Sequence, residues 1–254
     1  MRAIILAAGR GSRLGHLGDN RPKCFVELAG RPLIEYQTEA LRRGGVTEIG
    51  IVRGYRAEMI NFPDFTYFNN ERWAETNMVM SLAAATRWLN EEPVIVSYAD
   101  IFYRGDLVRR LAEAPGQLVI TYDRNWRDLW ARRFADPLAD AETFRTDAAG
   151  QLLEIGGKTT RIEDIQGQYM GLLKFTPTAW NEVEMFLNEL DPATRDRLDM
   201  TGLLRVLLSA KFPVGTLGTI GQWGEIDNPE DVALYESMVR KGELVLEEQQ
   251  TAAG

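Results

Sequence analysis

Two closely spaced glycines, a lysine further along and acids far apart in the chain have the types and placement that suit chemistry on phosphate. Gly9 and Gly11 stand in Leu6-Ala7-Ala8-Gly9-Arg10-Gly11-Ser12-Arg13-Leu14, directly after an apolar run. Glycines there let successive backbone N–H groups turn toward phosphate oxygens, and Arg10 and Arg13 add positive charge. An ordinary glycine turn fits the same residues. Arg21-Pro22-Lys23 follows. A lysine soon after a phosphate loop can pair with an incoming or leaving phosphate, although alone it reads as a surface lysine. Ser97-Tyr98-Ala99-Asp100 puts a carboxylate just past a buried apolar run. That position suits Mg²⁺, or the N-cap of the next helix. In Trp223-Gly224-Glu225-Ile226-Asp227 the two acids share one face of an extended segment. The helix start at Asn228-Pro229-Glu230-Asp231 explains the residues after them, but not Glu225 and Asp227 themselves.

A further set is aromatic and acidic: Tyr122-Asp123, Trp126, Trp130, Tyr169 and Trp223. Aromatic faces with a carboxylate suit a cationic amine head group, and core packing is the alternative for each ring. Trp126 and Trp130 are one helical turn apart and form one stripe.

These residues need a scaffold, and the apolar pattern supplies one. Ala3–Ala7, Ile49–Val52, Phe65–Phe68, Val94–Tyr98 and Leu118–Tyr122 read as strands. The intervening stretches Pro32–Arg43, Met78–Leu89 and Leu107–Ala114 read as helices. Short strands around Ala148-Ala149-Gly150, a strand at Gln168–Phe175 and a helix to about Leu190 follow. A helix at Thr201–Ala210, strands at Val214–Leu217 and Trp223–Ile226 and a last helix from Asn228 complete the chain. The expected fold is α/β, a doubly wound, mostly parallel Rossmann-like sheet with an inserted smaller substrate-binding lobe. Residues 1–240 form one domain, with a nucleotide-binding half to residue 123, an acceptor-binding half at 124–240 and a frayed tail at 241–254. In such sheets sites lie beyond the C-terminal strand ends. The Gly loop, Gly54, Asp100 and Asp123 all fall there.

Composition narrows the chemistry. The chain has 254 residues, a formal net charge of −8, one cysteine (Cys24) and one histidine (His16). The acidic balance argues against a nucleic-acid or membrane-surface partner. A single Cys and a single His build neither a disulfide nor a structural zinc site. Catalysis therefore falls to carboxylates, Lys, Arg and backbone. No apolar stretch approaches the roughly 20 residues of a membrane span, and the expected location is cytoplasmic. The oligomeric state is open, a homo-oligomer included. A dinucleotide fingerprint fits poorly: Gly15 is one position late, and Arg53 stands where a ribose-binding acid belongs.

The glycine loop and Arg21-Pro22-Lys23, at this spacing, resemble the signature of the nucleoside-diphosphate-sugar pyrophosphorylase superfamily of nucleotidyltransferases. The chain is most similar to its CTP:phosphocholine cytidylyltransferase branch, from Ala3 to about Tyr235, with Glu75-Thr76-Asn77-Met78-Val79-Met80-Ser81-Leu82 as a further match. The resemblance implies that Ala8, Gly9, Gly11 and Ser12 hold the triphosphate and that Arg13 and Lys23 neutralise it. It places Gly54, Thr76 and Asn77 around the base. It makes Asp100 and Asp227 the Mg²⁺ ligands, with Glu225 a further candidate beside them and beside the acceptor. It gives Lys158, in Gly157-Lys158, the acceptor phosphate. With Asp123, Trp126, Trp130 and Tyr169 around an amine, the expected reaction joins CTP to a phosphorylated amine such as phosphocholine and releases pyrophosphate. The alternatives are a sugar-1-phosphate acceptor, another phospho-amine or phosphonate, and an inactive nucleotide-sensing subunit.

Overall fold

The computed structural model describes residues 1–11 and 20–246. Ser12, Arg13 and His16 lie outside the described residues. The chain runs β1 (Arg2–Ala7), β2 (Glu27–Leu28), β3 (Arg31–Pro32), α1 (Leu33–Arg43), β4 (Glu48–Arg53), β5 (Thr66–Asn69), α2 (Met78–Ala83) and α3 (Thr86–Glu91). It continues through β6 (Val94–Tyr98), β7 (Ile101–Phe102), α4 (Gly105–Glu113), β8 (Leu118–Asp123), α5 (Trp126–Arg133), β9 (Phe144–Thr146), β10 (Leu152–Ile155) and β11 (Gln168–Phe175). It closes with α6 (Pro177–Glu189), α7 (Pro192–Arg197), α8 (Met200–Ser209), β12 (Val214–Thr219), β13 (Gly224–Glu225) and α9 (Pro229–Arg240).

Seven strands form the central sheet in the order β12-β8-β11-β6-β1-β4-β5. The β1–β4, β1–β6, β4–β5 and β8–β12 pairs are parallel. Only β11 runs against its neighbours β6 and β8. The α/β expectation therefore holds, with a sheet that is mostly but not wholly parallel. Residues of β1 feed alternate faces. Ala3, Ile5 and Ala7 pack with α1, α4 and α9, whereas Ile4 and Leu6 pack with α2, α3, α6 and α8. A strand covered on both sides reads as a near-continuous apolar run, as Ala3–Ala7 of β1 and Val94–Val96 of β6 do. The order reverses between β1 and β6, so a crevice opens at their C-terminal ends.

Three local differences from the sequence reading matter. The helix expected over Met78–Leu89 is two helices. At Ala84 and Ala85 the N–H groups bond Ser81 O and Leu82 O with three-residue spacing, which breaks the register. Gln168–Phe175, a strand of the expected acceptor-binding half, enters the middle of the sheet between β8 and β6. The strand over Trp223–Ile226 shortens to β13, which pairs antiparallel with β7 through Gly224↔Phe102 and Glu225↔Ile101. Among the described residues no helix is long and apolar enough to cross a membrane.

Candidate active site

The short β7–β13 ladder brings the distant acids together. Ile226 N–H donates to Asp100 O at 2.9 Å, which continues the ladder past Glu225. Gly224 makes this pairing possible: a Cβ there would lie 2.5 Å from the rings of Phe102 and Tyr235. Asp100 caps no helix, since the N-cap of α4 is Arg104. Asp100, Glu225 and Asp227 each offer a carboxylate oxygen within 4.8 Å of the others.

Lys23 stands over this cluster. It opens a single 3₁₀ turn whose next residue, Cys24, is buried, so the lysine is anchored at its backbone and is not a loose surface side chain. Its Nζ donates to Asp100 Oδ2 at 2.6 Å and to Asp227 Oδ1 at 3.0 Å. Burial alone would depress the ammonium, but Asp100 and Asp227 outweigh it and hold the pKa above its ordinary value. Burial, then the charges of Asp100 and Asp227, push the Glu225 carboxyl up to about 8, against the pull of Arg133 and Lys23.

Arg133, at the end of α5, completes the arrangement and was not singled out in the sequence. Its side chain is 1% exposed. Nε and Nη2 donate to the two carboxylate oxygens of Asp231 at 2.8 and 3.1 Å, and Nη2 reaches Asp227 Oδ2 at 3.4 Å. Asp231 Oδ2 also accepts the N–H groups of Asp227 and Asn228, and Asn228 Oδ1 accepts from Asp231 N–H. The capping box of α9 is therefore also a strut that fixes the backbone and the side chain of Asp227.

These residues fit a hard divalent cation. Among the described residues, Lys23 and Arg133 face Asp100, Glu225, Asp227 and Asp231, and Asp100 Oδ1 is buried without a hydrogen-bond partner. A Mg²⁺-like ion would take oxygen ligands of this kind and add positive charge to the cluster.

Two cavities flank the cluster. The first, about 280 Å³, is lined by Ala8, Gly9, Gly11, Lys23, Thr76 and Asn77, with Trp73, Met78, Ser81 and Asp100. It joins the glycine loop to the start of α2. Asn77 is the N-cap of α2: its Oδ1 accepts from Met78 N–H and its Nδ2 donates to Arg197 O. Gly54 is one layer back. A Cβ there would lie 2.5 Å from Trp73 Cβ and 2.7 Å from Ala8 O, so Gly54 lets two wall residues close up and does not line the wall itself.

The second cavity, about 260 Å³, is lined by Trp130, Tyr169, Glu225 and Asp227 together with Asp140, Glu142, Phe144 and Gln168. Tyr98 is on the wall of both cavities. Its ring packs edge to face on Tyr169 at 5.8 Å. Lys158 lies beside this cavity and donates to Asp140 O at 3.2 Å.

Two of the acceptor residues expected from the sequence are elsewhere. Asp123 is 1% exposed and saturated by donors: Asn125 N–H at 2.8 Å, Gly221 N–H at 3.3 Å and Trp223 Nε1 at 2.9 Å. It ties the end of β8 to the segment before β13 and has no face toward a ligand. Trp126 is buried in the core, with its Nε1 on Ile165 O. Beyond Glu225 and Asp227, the acids that line the second cavity are Asp140 and Glu142. Burial raises the Glu142 carboxyl, partly offset by Lys158.

Comparison with known proteins identifies the family. A family model described as a MobA-like NTP transferase domain matches residues 3–164. The CTP:phosphoglutamine cytidylyltransferase of Campylobacter jejuni subsp. jejuni is 36% identical, over 91% of this chain and 98% of that protein. The choline-phosphate cytidylyltransferase of Streptococcus pneumoniae is 37% identical over 43% of this chain and 51% of that protein. The solved structure of a CTP:phosphocholine cytidylyltransferase from Streptococcus pneumoniae superimposes with a TM-score of 0.70 at 22% identity, covering 94% of this chain and 98% of that one, so the fold is shared. The chain belongs to the MobA-like NTP transferase family and is a nucleotidyltransferase.

Proposed function

We propose that this protein transfers a cytidylyl group from CTP to a phosphorylated amine such as phosphocholine, giving a CDP-linked product and pyrophosphate. The observation that carries the reading is the pair of cavities meeting at Tyr98, with Lys23, Asp100 and Asp227 at the junction. The nucleotide enters on the glycine-loop side, where backbone N–H groups and Lys23 meet the triphosphate. The acceptor enters on the other side, where Trp130 and Tyr169 line the wall and Glu142 and Asp140 offer negative charge. An acceptor phosphate is already anionic and attacks the α-phosphorus without a general base, which suits a site without histidine among its described residues. Positioning and charge stabilisation then carry the reaction. Asp100, Asp227 and Glu225 would hold Mg²⁺, which supplies charge stabilisation at the α-phosphate when bound. The names of the relatives support cytidine as the base.

A second acceptor, phosphoglutamine, is favoured by the Campylobacter relative, whose match spans nearly the whole of both chains. The test is pyrophosphate release measured for each of CTP, UTP, dTTP and GTP against phosphocholine and phosphoglutamine, with and without EDTA. Release with CTP and an amine acceptor, abolished by EDTA, is the expected result. Preference for another triphosphate, or turnover indifferent to EDTA, would contradict it.

A further inference from the structure

Lys23 has two destinations that it cannot serve at once. Its ammonium sits on Asp100 Oδ2 and Asp227 Oδ1. These oxygens belong to two of the three carboxylates grouped closely enough to hold a metal ion. Lys23 also lines the nucleotide cavity beside Gly9 and Gly11, where a triphosphate would arrive. An ammonium and a divalent cation compete for the same carboxylate oxygens, because Mg²⁺ needs them at about 2.0–2.1 Å and carries like charge. The lysine side chain is a point charge on a flexible four-carbon stem, so its head can swing while its backbone stays fixed. The turn that carries it is anchored by buried Cys24 and Val26.

We propose that Lys23 is a tethered counter-cation that closes the metal site of the empty enzyme and is exchanged for the divalent ion when a triphosphate binds. The phosphate oxygens draw the ammonium off Asp100 and Asp227, and the ion arriving with the nucleotide takes its place. One cation or the other thus stays on Asp100 and Asp227 throughout, so these two acids are never left without a counter-charge. Metal and nucleotide then bind as a unit, and without nucleotide the protein binds the metal only weakly. This inference rests on the assignment of Asp100 and Asp227 as metal ligands.

The prediction has an unusual sign: removing a cation that serves catalysis improves metal binding. Mn²⁺ titrations of nucleotide-free protein, read by the electron paramagnetic resonance of free Mn²⁺, should show weak binding to the unmodified protein. Lys23→Met should bind Mn²⁺ at least about tenfold more tightly, since it removes one positive charge about 3 Å from the ligands. Lys23→Gln is a second neutral variant, and the thermal melt of each shows that it is folded. Adding Asp227→Asn to Lys23→Met should abolish the gain. Equal Mn²⁺ affinity of the unmodified protein and both neutral variants would overturn the exchange. Turnover of the unmodified enzyme in EDTA separates the two ideas. Equal affinities with EDTA-sensitive turnover would sink the exchange alone. EDTA-resistant turnover, with no Mn²⁺ bound by either variant, would sink the metal assignment as well.

Discussion

Arg133 is the residue whose replacement tests the architecture of the site most severely. Its side chain is almost fully buried and faces Asp231 with two nitrogens and Asp227 with one. Asp231 is 3% exposed at its side chain and Asp227 is 12% exposed. Arg133→Met keeps much of the apolar stem over Trp130 and Phe134, which pack on the guanidinium at 5.2 Å. It removes the charge and leaves buried Asp231 without its cationic partner, while Asp227 keeps Lys23. Breaking a buried pair by deleting one partner costs about 3–5 kcal/mol, most of it the desolvated charge left behind. For a chain of this size each kcal/mol moves the melting temperature by about 2–4 °C, so a fall of about 6–20 °C is expected. Urea unfolding at neutral pH in EDTA measures the cost. The exposed pair Arg240–Glu236, at 69% and 37% exposure, provides the control, and Arg240→Met should cost less than about 1 kcal/mol. The deficit at Arg133 should shrink as the pH falls toward 5, because a stranded buried carboxylate escapes its penalty by taking up a proton. A loss below 1 kcal/mol, or a loss independent of pH, would refute the argument that Arg133 compensates buried charge.

Other replacements separate structure from binding. Glu225 is raised toward about 8 by burial and by its acidic neighbours. The folded state thus holds its proton more tightly than the unfolded state, and this contribution is full below the ordinary carboxylate pKa and lost as pH rises through about 8. Metal-free protein should lose stability over that window, Glu225→Gln should lose less, and equal pH profiles in thermal melts would disprove it. Asp123→Asn replaces an acceptor that holds three N–H donors with a group that must turn an NH₂ toward some of them. It should cost about 1–3 kcal/mol in unfolding and leave the acceptor KM unchanged; a raised KM with unaltered stability would return Asp123 to the acceptor site. Glu142→Gln should raise KM for a phosphorylated amine about tenfold or more and leave KM for CTP alone, and steady-state kinetics with each substrate varied decides it.

What the sequence shows and what it hides divide along physical lines. Buried strands announce themselves as short apolar runs, so β1, β4, β6 and β8 were legible, as was the helix start at Asn228. The break between α2 and α3 was not, because the apolar positions run through Ala84 and Ala85 without interruption. Asp100, Asp227 and Lys23 could be nominated from position and resemblance, but nothing local shows that they touch. That contact depends on the β7–β13 ladder, which joins residues more than a hundred positions apart. Arg133 escaped for the same reason. In its own segment it is one arginine in a basic, aromatic stretch, and its partner Asp231 is 98 positions away. Asp123 misled in the opposite sense. Its aromatic neighbours suggested an amine site, whereas the donors that saturate it come from Gly221 and Trp223.

The central claim is that the cavity behind Tyr98 selects a phosphorylated amine for cytidylyl transfer. Its most direct test is ³¹P NMR of product formation by the unmodified enzyme with CTP and Mg²⁺, offering phosphocholine, phosphoglutamine and glucose-1-phosphate in parallel at equal, sub-saturating concentration. Cation–aromatic contact with Tyr169 contributes roughly 0.5–2 kcal/mol for a well-placed face, and the charge of Glu142 adds to it. One of the amine acceptors should therefore be used at least about tenfold faster than the sugar phosphate. Equal or faster conversion of glucose-1-phosphate would contradict the account and make the second cavity a sugar site.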